Sequence, residues 1–412
     1  MFDGVTREQW KSLLAAMSGW MLDSMDFLLF TFAIGAIQSE FGLPSRSMGL
    51  LMSVALFAGA AGGLLFGRLA DRYGRVRAMT WSILVYSLAT GGLATSQSVV
   101  ALVFWRALVG LGMGGEWACG AVLVAETWPA KHRAKAIGIM QSGWAIGALA
   151  AAGLSALMLE RYGWRALFLA GLLPSVAAFF IRRHVREPEI WSAAGRTKGP
   201  SPGFAGLFSA TLAKRTLVAS LLASCVLVAY WGLMTWLPSF LATPIERGGA
   251  GLTITKSALW TVLIQLGAFV GYVSFGWIAD RIGRRPAFTL FMAGALVTIP
   301  IYAMAASNIK VLLFVGPLVG YFAHGYFAVF GALLAELYPT AIRATGQGFC
   351  YNVGRLASAL SPYFIGKAAE RGGIGVALGV DALFFGLAAW LVWLLPETRM
   401  LDLETPREER AA

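Results

Sequence analysis

Of 412 residues, 58% are hydrophobic and only 13% are Asp, Glu, Lys or Arg, and the mean hydropathy is +0.69. Soluble domains carry about 25% charged residues, so this chain has more apolar surface than an aqueous core absorbs, and lipid is the implied solvent. The net charge of +12 would suit nucleic acid, but basic residues in so apolar a chain are accounted for by loops held at a cytoplasmic surface, and nucleic-acid binding is set aside. Cys119, Cys225 and Cys350 all fall in apolar stretches, spaced for neither a disulfide frame nor a metal site.

A bilayer takes about 20 apolar residues per helix, and twelve stretches qualify. The N-terminal MFDGVTREQWK has no cleavable-signal pattern, so 12–38 is read as the first span. It carries Asp23 and Asp26, three apart and hence on one face, roughly 16–21 Å into the helix at about 1.5 Å per residue. A carboxylate at that depth costs several kcal/mol unless paired, hydrated or protonated. The pair therefore reads either as a proton carrier or as a fixed ion pair.

The second span, 47–68, runs into Gly67–Arg75, GRLADRYGR. Gly67 permits close helix approach, Asp71 can cap the next segment or pair with a cation, and Arg72, Arg75 and Arg77 suit headgroups. Spans follow at 78–96 and 98–122. Arg106 lies near mid-depth in the latter, either paired with Asp23 or Asp26 or open to an anion. Gly110, Gly112, Gly114 and Gly115 follow no strand and sit inside a span, so they serve helix packing rather than a nucleotide loop. Glu116 reads equally as a proton relay or an interhelical partner. Glu126 and Arg133 then flank a loop, as contacts between helix ends or as solvated residues.

Spans five and six are placed at 133–158, with Gln141, Ser142 and Trp144 as cavity-wall candidates, and at 164–181. The polar interval Arg182–Lys214 is the linker, divided as 1–182, 183–212 and 213–412, with room for a short surface helix. Spans seven to twelve are expected at 215–241 (Tyr230, Trp231, Trp236), 253–278 (Gln265), 286–306, 309–333 (His324, Tyr326), 343–367 and 373–395. Arg355 lies about twelve residues into the eleventh span with Asn352 three residues earlier. That span has no acid of its own, so a substrate carboxylate is a plausible partner for Arg355.

The chain repeats itself. GWIADRIGR at Gly276–Arg284 restates GRLADRYGR with Asp280 for Asp71, an offset of 209, and brings Arg281 and Arg284. Glu336 and Arg343 restate Glu126 and Arg133 at an offset of 210, and Pro396–Glu397 is paired with Pro188–Glu189 at 208. Ordered motifs at one offset in an apolar chain indicate a duplicated transporter with its site between halves. With both termini in the cytoplasm, 23 of the 33 Lys and Arg lie on the cytoplasmic side and 8 outside, which supports that orientation.

Both copies of G-x-x-x-D-R-x-G-R resemble the hallmark loop of the major facilitator superfamily. The resemblance covers nearly the whole chain and implies an all-α membrane fold of two pseudo-symmetric six-helix bundles working by alternating access. It assigns Gly67, Asp71, Arg72, Arg75, Glu126, Arg133, Asp280, Arg281, Arg284, Glu336 and Arg343 to a cytoplasmic gate. The strings GWMLDSMDF, RALVGLGMGGEW and YNVGRLASALSP are similar to those of sialate and lactate-type proton symporters, with aromatic-acid symporters as neighbours.

The expectation is an inner-membrane, monomeric, non-enzymatic symporter of a small organic anion, driven by protons, with no cofactor beyond that coupling ion. Asp23, Asp26 and Glu116 would carry protons. Arg355, Asn352, Arg106, Gln141, Tyr230, Trp231, Gln265 and His324 would line the anion site. A proton-coupled efflux antiporter and, more remotely, a non-transporting sensor are the alternatives.

Overall fold

The computed structural model describes residues 4–43, 45–196, 203–252 and 254–399. Among these, every regular element is helical. The first half comprises α1 (Arg7–Phe41), α2 (Ser45–Tyr73), α3 (Arg75–Leu93), α4 (Val99–Thr127), α5 (Arg133–Ala170) and α6 (Leu173–His184). A short α7 (Glu189–Arg196) follows. The second half comprises α8 (Ala213–Ala242), α9 (Ile254–Ile282), α10 (Arg284–Met304), α11 (Ile309–Gly325), α12 (Phe327–Glu336), α13 (Arg343–Ser358), α14 (Ser361–Gly372), α15 (Ile374–Asp381) and α16 (Leu383–Leu391).

Twelve membrane passages result, because α11 with α12, α13 with α14, and α15 with α16 each form one broken span. Ten passages contain a described stretch long and apolar enough to cross unaided. α3, which carries Arg75 and Arg77, and α13, which carries Arg343 and Arg355, rely on their neighbours. The outer wall is apolar: Met304 is 86% exposed, Val100 79% and Phe314 73%. Arg75, Arg106, Arg284 and Arg343 are instead among the largest side chains fully buried. That inversion is what lipid as solvent selects.

Local chemistry sets the boundaries. α1 opens on a capping box in which Thr6 and Gln9 satisfy each other's backbone N–H, and ends at Gly42 with φ 62°. The expected spans at 133–158 and 164–181 are joined, since α5 runs to Ala170 through a break at Gly163. The repeated motif is also less of a loop than expected. Gly67–Tyr73 and Gly276–Ile282 are the last turns of α2 and α9, and only Gly74 (φ 113°) and Gly283 (φ 102°) break the chain. In the linker, α7 is the expected surface helix and a 3-10 turn spans Gly203–Phe208. Lys198, Pro200, Pro202 and the tail beyond Arg399 lie outside the described residues.

Within the first half α2 packs on α4 and α1 on α5; within the second α9 packs on α11 and α8 on α13. The equivalent pairs α2/α4 and α9/α11 touch backbone to backbone. A Cβ at Gly62 would lie 1.9 Å from the Leu111 carbonyl oxygen, and one at Gly320 1.8 Å from that of Ile264. The halves meet mainly through α2 with α13 and α5 with α9. The end holding Gly74 and Gly283 is called the motif end below.

Candidate functional site

At the motif end two charge networks cross between halves. Asp71 accepts hydrogen bonds from the Ala344 N–H (3.1 Å), the Thr345 N–H (2.8 Å) and the Thr345 hydroxyl (2.6 Å), and pairs with Arg75 at 2.9 Å. It therefore caps α13 of the opposite half, not the next segment, the alternative the sequence offered. Arg75 grips Glu126 with two bonds of 2.9 Å and donates to the Thr340 carbonyl, while Arg343 reaches Glu126 at 2.5 Å. All four side chains are buried, so Glu126 is a contact between helix ends and not a solvated residue.

The second network is the looser copy. Arg284 pairs with Asp280 at 2.8 Å but meets Glu336 only at 3.6 Å, and Arg133 holds Glu336 at 3.0 Å. Lys135 approaches Asp280 at 3.5 Å. Asp280 Oδ2, Glu336 Oε2, and Nε and Nη2 of Arg284 lack hydrogen-bond partners. Gly67 seats α2 against the Ala344 carbonyl, where a Cβ would approach to 2.8 Å. Arg72 and Arg281 are exposed and take no part in either network; Arg72 lies over Tyr73 at 5.2 Å.

Deeper in the first half, Asp23, Asp26 and Glu116 are all buried, and they separate by environment. Asp26 accepts a 2.5 Å bond from the Thr90 hydroxyl and sits beside Gly171, turned into its own bundle. Asp23 Oδ1 and both Glu116 oxygens have no hydrogen-bond partner. Glu116 fits against Gly19 of α1, where a Cβ would come within 2.2 Å of its Oε1. All three acids act electrostatically on Tyr86, whose hydroxyl is also unpartnered. Arg355 is the cation whose field reaches Asp23, and Arg106 the one whose field reaches Asp26.

The ion pair weighed for Arg106 is not formed: among the described residues no contact within 4.0 Å joins it to Asp23 or Asp26. Its guanidinium lies instead 3.8 Å over the Phe30 ring, with Nε and Nη2 unpartnered. A cation on an aromatic face recovers part of the hydration it lost.

Between the bundles, Arg355 is half-buried on α13, with Nη1 close to Gly59 of α2 and its charge 5.9 Å from the Tyr351 ring. Its guanidinium makes no hydrogen bond or ion pair among the described residues. Tyr351 stacks on Trp117 of the other half at 4.1 Å, and the Trp117 indole donates to Gln141 at 2.9 Å. Neither ring was singled out in the sequence; Tyr351, four residues before Arg355 on one helix face, was the available signal.

The other expected wall residues divide. Asn352 donates to its own helix at the Gly348 carbonyl (2.8 Å) and packs on Gly63, so it buttresses α2 against α13. Tyr230 sits edge-on to His324 at 5.1 Å, and Tyr272 edge-on to His324 at 6.1 Å. Trp231 is half-buried and faces Phe27 of the first half at 6.4 Å. Gln265 is half-buried and makes no side-chain hydrogen bond among the described residues.

A transporter architecture is what the comparisons also return. A protein of Haemophilus influenzae described as a metabolite transport protein is 35% identical over 408 residues, covering 97% of this chain and 99% of that one. The sialic acid transporter NanX of Escherichia coli is 30% identical over 395 residues, covering 92% of each. The cis,cis-muconate transport protein of Acinetobacter baylyi is 29% identical over 397 residues, covering 94% and 93%. Among solved structures, the proton:xylose symporter XylE shares the fold with a TM-score of 0.78 at 18% identity, over 96% of this chain and 98% of that one. The Major Facilitator Superfamily profile matches residues 14–248 and 247–411, and with two bundles and a doubled GxxxDRxGR motif the chain belongs to that superfamily.

Proposed function

We propose that this transporter takes up a small organic anion together with protons, with the motif end and both termini in the cytoplasm. The observation that carries the reading is Arg355: a half-buried guanidinium beside the Tyr351 ring, without a hydrogen bond or ion pair among the described residues, whose field reaches Asp23 across the interface. Arg355 would hold the cargo carboxylate with two hydrogen bonds, and Trp117 and Tyr351 would pack against its body. NanX and the muconate protein are named for acids, which supports an anionic cargo.

Charge balance links cargo to proton. An ionised Asp23 and Arg355 sum to zero; an arriving anion leaves the site at −1, and a proton on Asp23 restores neutrality. A neutral midplane is the state least opposed by lipid, so cargo and proton load together before the bundles rock. Asp23 is the better carrier than Asp26, which is tied to Thr90.

The test is external alkalinisation on adding monocarboxylates, aromatic acids or sialate to proteoliposomes without an imposed gradient. One responding acid class, lost in Arg355→Ala and uncoupled in Asp23→Asn but not in Asp26→Asn, is expected. Silence across the panel in folded protein, with binding of lipophilic cations, would replace symport by efflux exchange.

A further inference from the structure

The second half holds a buried acid that this scheme does not use. Asp381 is 3% exposed, at the joint where α15 stops and the twelfth passage restarts as α16. One carboxyl oxygen has no hydrogen-bond partner, and the Leu233 backbone N–H acts on the group electrostatically. The carboxyl rests on Gly232 of α8, where a Cβ would stand 2.6 Å and 2.7 Å from its oxygens and 2.3 Å from Ile365. No other residue type fits there without moving the acid or the helix.

Among the described residues no ion pair compensates it. The elements packed on α15 are α8, α10, α14 and α16. α8 brings Tyr230 nearby, but its Lys214 and Arg215 lie some 17 residues or more away along the helix, about 26 Å. α10 brings Tyr302, with Arg284 and Arg285 at the motif end. α14 brings exposed Lys367, with Tyr363, Glu370 and Arg371, whose side chains lie outside the described ones; α16 brings no charge. Tyr326, at the start of α12, is the phenol whose electrostatics Asp381 enters. An acid buried in a membrane span without a cation marks a functional site by default.

Its seat gives that site a moving part. Gly232 directly follows Trp231, which meets Phe27 of the first half on the inter-bundle surface. A swing of α8 that both separates Trp231 from Phe27 and lifts Gly232 and Leu233 off the carboxyl would expose it to water. We propose that Asp381 is a second proton-binding site, separate from Asp23, which exchanges its proton only when α8 moves away and so ties proton release to the position of α8.

The experiment is infrared titration of the full chain in lipid, which reads protonated carboxyls without needing cargo and so stands or falls apart from the symport reading. Wild type should show a protonated-carboxyl band absent in Asp381→Asn and retained, shifted, in Asp381→Glu. In a Phe27→Cys/Trp231→Cys variant the band should survive alkaline pH when the disulfide is closed and be lost when it is reduced. If the double variant fails to fold, Gly232→Ala, which presses a methyl into the carboxyl, should displace the band. No band assignable to Asp381, or one titrating identically with α8 locked and free, overturns the proposal.

Discussion

Glu187 and Glu397 close the two halves in the same way, 210 residues apart. Glu187 accepts the N–H groups of Val76 (3.0 Å) and Arg77 (3.1 Å), and Glu397 those of Arg284 (2.9 Å) and Arg285 (3.0 Å). Gly74 and Gly283 offer α3 and α10 no side-chain cap. The chain leaving the sixth passage, and again the twelfth, therefore returns a carboxylate to a helix N-terminus, where orphan donors and the helix dipole favour it. The sequence pairing of Pro188–Glu189 with Pro396–Glu397 was out of register by two. The functional match is Glu187, at the offset of 210 that also relates Glu126 to Glu336.

Losing either cap should cost about 1 kcal/mol. Glu187→Ala and Glu397→Ala should each lower the unfolding temperature in detergent by a few degrees without changing cargo affinity. Burial raises the Glu397 carboxyl, but backbone N–H groups of Arg285, Arg284, Arg399 and Thr398 outweigh it and hold the group below the ordinary range. A lowered folded value means the stabilisation is full above about pH 4.3, the unfolded value, and fades as pH falls through the folded one. The gap between wild type and Glu397→Gln should thus stay constant from neutral pH to mild acid and close only in stronger acid. A gap that closes near neutrality would refute the cap.

Much of this was legible because lipid and duplication leave strong marks. Apolar runs set the passages, and the doubled GxxxDRxGR marked both helix ends that carry the charge networks. What could not be read was direction. Asp23 and Asp26 share a helix face in the sequence, yet Asp26 bonds Thr90 and sits beside Gly171 in its own bundle, while Asp23 lies in the field of Arg355. Arg106 has the composition of an ion pair, but the partner it reaches is Phe30. Such choices depend on how α1, α3 and α4 rotate against each other, which periodicity does not encode.

The unequal gate networks should respond unequally. Glu126→Gln takes the acid partner from buried Arg343 and leaves buried Arg75 with Asp71 alone, and breaking a buried pair costs about 3–5 kcal/mol. Glu336→Gln removes an already stretched 3.6 Å contact and one 3.0 Å pair. Alkylation of a cysteine placed at Gln141, with the reagent supplied at the motif end, should rise by tenfold or more in Glu126→Gln and less in Glu336→Gln. Equal responses would show that the asymmetry carries no energy.

The Arg106–Phe30 contact should be measurable as a coupling. A desolvated cation–aromatic pair is worth about 2 kcal/mol. A double-mutant cycle with Arg106→Lys and Phe30→Leu should give an interaction energy of about 1–2 kcal/mol in unfolding experiments, with the lysine a poor substitute because it cannot lie flat on the ring. A coupling near zero would leave Arg106 as an electrostatic partner of Asp26 alone.

Finally, two glycines of the first half should behave oppositely although both are helical. At Gly62 a Cβ would sit 1.9 Å from the Leu111 carbonyl oxygen and 2.7 Å from its carbon, against backbone that cannot rotate away. Gly62→Ala must push α2 off α4, and because α2 also carries Asp71 and abuts Arg355 through Gly59, the displacement reaches gate and site together. At Gly153, exposed on α5, nothing lies within 4 Å. There alanine relieves the backbone entropy that glycine loses on folding, a gain of about 0.4–1 kcal/mol. Gly62→Ala should reduce folded yield severely and abolish transport in what remains, while Gly153→Ala should transport normally and unfold at an equal or higher temperature. Normal transport by Gly62→Ala would mean that the α2–α4 contact is looser in the membrane than the backbone separation here requires.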